Sequence, residues 1–573
     1  MWPAVVSFVI LIAVILVGIV PSAELLFAKA DRLVRRLARP KAIVGAVFAG
    51  ALAVAVFAST VIQWPVPRTH DEFAHLLAAD TFRHGRLTNP PHELWQSFET
   101  FHVLQRPTYM SKFAPVPDFF LAFGWLVTGA PIAGAWLLHA LACASVAWML
   151  LAFIQKRWAL LASVLLAFHP QMIDWSQSFW GGSTAVSGAA LLLGGLERSA
   201  RGNASSGWWA GVGLFLLAGS RPYEGFVLAV LLVVRWGLTV KGIDRVDLLK
   251  RATPLIVCGV VTLSFTGYYN MRVTESALAF PHRLYAKEYA PSPLFLGGKL
   301  APEPEYRHEE MRRYHTGPEM AAFRLQSTPK GVAVAMLLKL KIVAEAAMRL
   351  PMTLGPNGPF KFVWWPVVLL LLLPAQLRRG RDRWVWGILA VFFSASFLVL
   401  WTQPHYAAPA VPLVVLGLAG LLQRARAFAF RWRGGRRLVV LIAGLMLASA
   451  CTELVILRSS WDVPWDAAEV RQKMAEHLRE LPGKDLVFVG YGPQHFLNFE
   501  WVYNEAGIDA SEIVWARRMD PASNDRLIRY YEDRRVWLVD ADSIPPRLIP
   551  LERPKEEHTN ERREGEAGGE LSN

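Results

Sequence analysis

Residues 42–72, AIVGAVFAGALAVAVFASTVIQWPVPRTHDE, decide how this chain is read. The first part, 42–62, carries no charged residue, and as a helix it is long enough to cross a hydrocarbon core of about 30 Å. Asp71 and Glu72 then open a hydrophilic stretch. Carboxylates at the mouth of a spanning helix can face water and a lipid-borne substrate together, so chemistry is expected here.

Working outward, the 573 residues are 53% hydrophobic and only 18% charged, with 23 Trp and a mean hydropathy of +0.29. That balance excludes an ordinary soluble protein and predicts an α-helical polytopic membrane protein with interfacial aromatics. Apolar segments fall at 1–20, 42–62, 131–153, 158–173, 179–196, 207–220, 223–239, 253–270, 362–377, 384–401, 405–423 and 437–457, giving about twelve spans. Segment 1–20 lacks a basic start and a small-residue cleavage site, so it reads as a retained span and not a signal peptide. Cys143, Cys258 and Cys451 all sit in apolar segments, which points to neither a disulfide framework nor a thiolate metal site.

The net charge of +14 resides in short loops, including Arg32 to Arg39, Lys156-Arg157, Lys241 to Arg251, Arg378 to Arg383 and Arg424 to Arg437. By the positive-inside rule these loops are cytoplasmic, so no nucleic-acid partner is needed. Both termini, the Asp71-Glu72 loop and the turns near Pro170, Gly219 and Thr402 then fall on the extracytoplasmic side. The expected organisation is a membrane domain over 1–457, with a first loop at 63–117 and a second large loop at 270–361. A small extracytoplasmic α/β domain at 458–553 follows, and then a disordered tail at 554–573. The strands DLVFVGY, EIVWARR and RVWLVDA and two helical patterns carry the α/β reading; the tail is polar and poor in hydrophobics.

Asp71 can take a proton from an attacking hydroxyl, with Glu72 beside it. The competing reading is that both acids cap the amphipathic helix expected over EFAHLLAADTFRHG on the membrane interface. Lys112, in RPTYMSKFAPVP with Arg106 and Tyr109 on the approach, can hold a phosphate at headgroup depth or simply snorkel to lipid. Asp174, Arg221, Glu224, His405 and Tyr406 occupy turns on the same side and can line one cavity with the first loop. Five histidines in that loop lack any known zinc spacing, so no metal site is assigned, with a divalent metal left as the alternative. No glycine-rich nucleotide loop is present, which leaves ATP-driven transport unsupported.

A spanning helix, then Asp-Glu, then a long loop ending in a Lys and Pro-containing run, resembles the GT-C glycosyltransferases. The nearest branch is that of protein O-mannosyltransferases and lipid A aminoarabinose transferases. YYNMRVTESALAFPHRLYAKEY and TQPHYAAP also look like pieces of a bacterial subgroup. The resemblance implies a multi-pass protein of the bacterial cytoplasmic (inner) membrane. It implies transfer of a sugar from a polyprenyl-phosphate carrier to an extracytoplasmic lipid, polysaccharide or protein, with Asp71 and Glu72 in the acid role and Lys112 on the phosphate. Relatives often carry Lys-Pro-Pro, sometimes after a metal-linked acid, whereas here Ser111 precedes Lys112. The rival class is a transporter or lipid flippase without transferase chemistry, which predicts mid-span substrate groups and internal repeats; neither is evident.

Overall fold

The computed structural model describes residues 39–348, 373–378, 383–428 and 467–553, with isolated residues at 29, 32 and 444. The expected spans 1–20 and 437–457, most of 362–377, the end of the second loop and the tail 554–573 lie outside the described residues.

The helix Pro40–Phe57 starts on a proline, whose missing N–H costs nothing in a first turn. It runs into a π-helical turn at Ala58–Ile62 and stops where Gln63 turns extended. Among the described residues, five helices are long and apolar enough to cross a membrane: Pro40–Ile62, Ile132–Phe153, Pro222–Thr239, Arg245–Thr274 and Pro404–Arg424. Val116–Thr128, Ser206–Ala218 and Arg383–Ser396 are shorter apolar helices.

The bundle packs through small residues, as helices in lipid do. A Cβ on Gly213 would fall 2.4 Å from the carbonyl oxygen of Gly188, so Ser183–Ala200 and Ser206–Ala218 touch backbone to backbone. A Cβ on Gly124 would lie 2.2 Å from the Gly134 nitrogen, which closes Val116–Thr128 onto Ile132–Phe153.

Two expectations change. The span expected at 158–173 is broken into Lys156–Ala167 and Pro170–Ser176. Pro170 cannot donate to the preceding turn and holds His169 extended at ψ 129°, which ends the first helix. Val116–Thr128 is a helix that the sequence reading left unassigned; Pro115 and Pro117 start it and do not break it.

Residues 467–553 contain four strands: β1 at Lys484–Gly490, β2 at Ile513–Arg517, β3 at Arg534–Asp540 and β4 at Arg547–Pro550. They form one sheet of order β2-β1-β3-β4. The first three strands run parallel and β4 is an antiparallel edge. Strand side chains alternate between faces. Val487 and Val489 pack with Leu478, Trp501 and Val502 on one face. Leu486 and Phe488 pack on the other, against Ala74, Leu77, Phe98 and Tyr109 of the first loop. The helix His70–Arg83 is therefore enclosed between bundle and sheet instead of lying open on an interface. Burial of each such Leu or Phe contributes roughly 2–3 kcal/mol, which holds the acid-bearing helix rigidly.

Candidate active site

The helix His70–Arg83 begins after extended Thr69. Glu72, at its third position, accepts the backbone N–H groups of Arg68 at 2.8 Å and Thr69 at 3.3 Å through Oε2. Its Oε1 accepts the N–H of Phe179 at 3.1 Å. This is the glutamate half of a capping box, extended to a turn more than a hundred residues away. Burial pushes the Glu72 carboxyl up, against the pull of those N–H groups.

Asp71 is set differently. Its Oδ2 lies 3.0 Å from His70 Nδ1, and its Oδ1 lies 3.6 Å from His102 Nε2. Its side chain stays 18% exposed, while those of both histidines are buried. Burial alone would raise the Asp71 carboxyl, but His70, with Lys112 and His75, outweighs it and holds the carboxyl below the usual range. The two adjacent acids are thus pushed in opposite directions, which separates an ionised open carboxylate from a structural one. His75, four residues on and hence on the same helical face, is fixed by Nδ1 to Asp118 Oδ1 at 2.6 Å and by stacking on Phe113.

Lys112 is only 7% exposed, and its amide donates to the carbonyl of His102 at 3.0 Å. Among the described residues its ammonium forms no ion pair; it lies 4.6 Å from the ring centre of Tyr285 and 5.5 Å from that of Phe113. Burial lowers its pKa to about 8, with Glu319 and Asp71 pulling upward. Arg221, at the start of Pro222–Thr239, has its guanidinium carbon 5.0 Å from the Tyr406 ring centre. Burial depresses it, while Tyr406, Glu224 and Asp71 hold it up.

Asp71, Lys112, Arg221, Glu224 and Tyr406 therefore act on one another's charge or contact one another. His405 lies against Trp180 at 4.7 Å and against Tyr406. The remaining candidates make other contacts. Arg106 is exposed and sits over Trp95 at 4.2 Å. Tyr109 is buried, with its hydroxyl donating to the carbonyl of Asn504 at the sheet domain. Asp174 accepts from Gln171 Nε2 at 2.9 Å.

Sequence reasoning missed Asp118 and a group from the second loop: His282, Tyr285, His315 and Glu319. Burial, then Lys112 and Arg221, push His282 down to about 3, so it is a neutral imidazole facing the same charges. The available signal was the stretch AFPHRLYAKEY, which carries two of these residues.

Donor atoms of His70, Asp71 and His102 lie within 4.8 Å of one another. Among the described residues, His70 Nε2 and His102 Nδ1 have no hydrogen-bond partner. Two imidazoles and a carboxylate suit a divalent transition metal with an open position.

No family model matches the chain, and no curated protein does. Solved structures align over most of it. The apo oligosaccharyltransferase of Archaeoglobus fulgidus is 13% identical and has a TM-score of 0.46, over 87% of this chain and 69% of that one. ArnT from Cupriavidus metallidurans in the apo state is 11% identical, covering 86% of this chain and 92% of that one with a TM-score of 0.46. The same ArnT bound to undecaprenyl phosphate is 12% identical, with a TM-score of 0.43 over the same shares.

Proposed function

We propose that this protein moves a sugar from a polyprenyl-phosphate carrier to an extracytoplasmic acceptor in the bacterial inner membrane. The observation that carries the reading is the buried Lys112 and half-buried Arg221 near the half-buried Asp71 carboxylate, with apolar cavities in the adjoining bundle. A cavity of about 120 Å³ lies in the bundle, lined by Leu165, Leu166, Met172, Trp175 and Val414 among others. A smaller one of about 10 Å³ shares Val343, Phe393 and Ala407 with it and reaches Tyr406. Tyr406 faces Arg221, and the field of Asp71 acts on both Arg221 and Lys112. An isoprenoid chain suits the apolar part and its phosphate the cations.

In the reaction, an acceptor hydroxyl attacks the anomeric carbon opposite the phosphate. The new oxygen–carbon bond forms as the bond from carbon to phosphate oxygen breaks, and the electron pair leaves with the phosphate. The hydroxyl proton passes to Asp71. Lys112 and Arg221 stabilise the charge that grows on the departing phosphate. Glu72 serves by fixing the helix start.

The test uses the full protein in liposomes with membrane lipid extract carrying labelled polyprenyl-phosphate sugars. The wild type releases polyprenyl phosphate and labels an acceptor; Asp71→Asn does neither while remaining folded. Near-normal turnover by Asp71→Asn removes the base assignment. Movement of intact donor between leaflets without cleavage makes the protein a flippase instead.

A further inference from the structure

Lys112 presents a problem of positioning. Its four-carbon stem is flexible, yet the ammonium is buried and is fixed by no ion pair among the described residues. What lies under it is the face of Tyr285, at 4.6 Å. A cation over an aromatic face is attracted by the ring quadrupole, and the attraction grows when the pair is desolvated.

Tyr285 is itself held by a chain of bonds. His315 Nδ1 lies 2.7 Å from Glu319 Oε2, so its N–H donates to that carboxylate. This leaves Nε2 as an acceptor, and the Tyr285 hydroxyl approaches it at 3.3 Å. The imidazole is fixed in turn by near-parallel packing on Tyr289 and Tyr306. Tyr285 and His315 are essentially fully buried and Glu319 nearly so. A buried carboxylate–imidazole–phenol sequence in the second loop has no counterpart in the chemistry assigned to Asp71. It ends, however, directly beneath Lys112.

We infer that Glu319, His315 and Tyr285 form a positioning chain that holds the Lys112 ammonium over the Tyr285 ring, aimed at the donor phosphate. The chain acts in two ways. It fixes the ring plane, and because Tyr285 donates its proton toward His315, the ring becomes more electron-rich and grips the cation better. The carboxylate of Glu319 adds an attractive field at Lys112. These are positioning residues that touch the phosphate only through Lys112. The inference rests on the lipid-phosphate reading above.

The experiment measures equilibrium binding of undecaprenyl phosphate, the probe itself, to the full protein in detergent micelles. Wild type is compared with Lys112→Ala, Tyr285→Phe, Tyr285→Leu, Glu319→Gln and the double variant Lys112→Ala with Tyr285→Leu. Lys112→Ala and Tyr285→Leu each weaken binding about tenfold, whereas Tyr285→Phe, which keeps the ring, and Glu319→Gln weaken it about two- to threefold. Against Lys112→Ala, adding Tyr285→Leu has no further effect, because the ring acts through the ammonium. Equal loss from Tyr285→Leu with and without Lys112 overturns the chain but leaves the lipid site standing. Loss in Tyr285→Phe equal to that in Tyr285→Leu also overturns it, since the ring would then not matter. Wild type that fails to bind the probe overturns the lipid-phosphate reading and this inference with it.

Discussion

The backbone N–H of Ala506 donates to Asp80 Oδ2 at 2.7 Å, tying the C-terminal sheet domain to the helix that carries Asp71. The other oxygen of Asp80 takes Arg83 Nε at 2.6 Å, and the residue is 1% exposed. The seam continues through Arg517, which is buried and bonded to Glu500 at 2.6 Å, to the carbonyl of Glu99, and to Glu310. The C-terminal sheet is thus a structural wall against the helix His70–Arg83.

Asp80→Ala strands a buried N–H and an arginine, so it is expected to destabilise the protein by about 2–4 kcal/mol. Asp80→Asn, which keeps an acceptor oxygen, costs less. Thermal unfolding in detergent measures both, and turnover of the folded fraction should stay close to wild type only for Asp80→Asn.

Glu72 and Asp71 should separate cleanly. Glu72→Gln turns an amide NH₂ toward at least one of the N–H groups of Arg68, Thr69 and Phe179, a loss of about 1–2 kcal/mol of stability. Asp71→Asn leaves the fold intact and removes turnover. Stability and turnover measured on the same preparations check this; a stable, inactive Glu72→Gln would move Glu72 into the chemistry.

Local patterns carried much of this architecture. The alternation Leu486-Val487-Phe488-Val489 marks a strand buried on both faces, and its two sets of side chains do pack on opposite sides. The helix over His70–Arg83 is likewise legible from its periodicity. What was not legible is juxtaposition across the chain: His102 beside Asp71, Asp118 on His75, and Tyr285 under Lys112. Such pairs leave no periodic trace, because tertiary packing alone creates them. Nor was it legible that Arg106 would sit over Trp95 and that the Tyr109 hydroxyl would donate to the carbonyl of Asn504.

Gly213 offers a test of the bundle. Since a Cβ there would meet the backbone of Gly188 and Leu192, Gly213→Ala must separate two helices, at a cost of about 1–3 kcal/mol. Gly237, around which a Cβ meets nothing within 4 Å, should accept Ala with little change. Comparing the detergent thermal stability of the two variants checks the close approach.

The last prediction concerns pH. Lys112 has a pKa of about 8, against an ordinary value of 10.5, chiefly because burial disfavours its charge. The folded protein therefore binds fewer protons than the unfolded chain between those two values, so this group favours folding increasingly as pH rises through that window. Phosphate binding runs the other way, because the ammonium that attracts the phosphate is lost above about pH 8. The second ionisation of a phosphate monoester, near about pH 6, is complete before this window and cannot produce the effect. Affinity for undecaprenyl phosphate should thus fall as pH is raised from about 7 to 9.5, while Lys112→Arg, whose guanidinium stays charged, flattens that fall. Binding titrations across the range decide it. An alkaline loss of equal size in Lys112→Arg would assign the ionisation to a different group and leave Lys112 without a role in holding the phosphate.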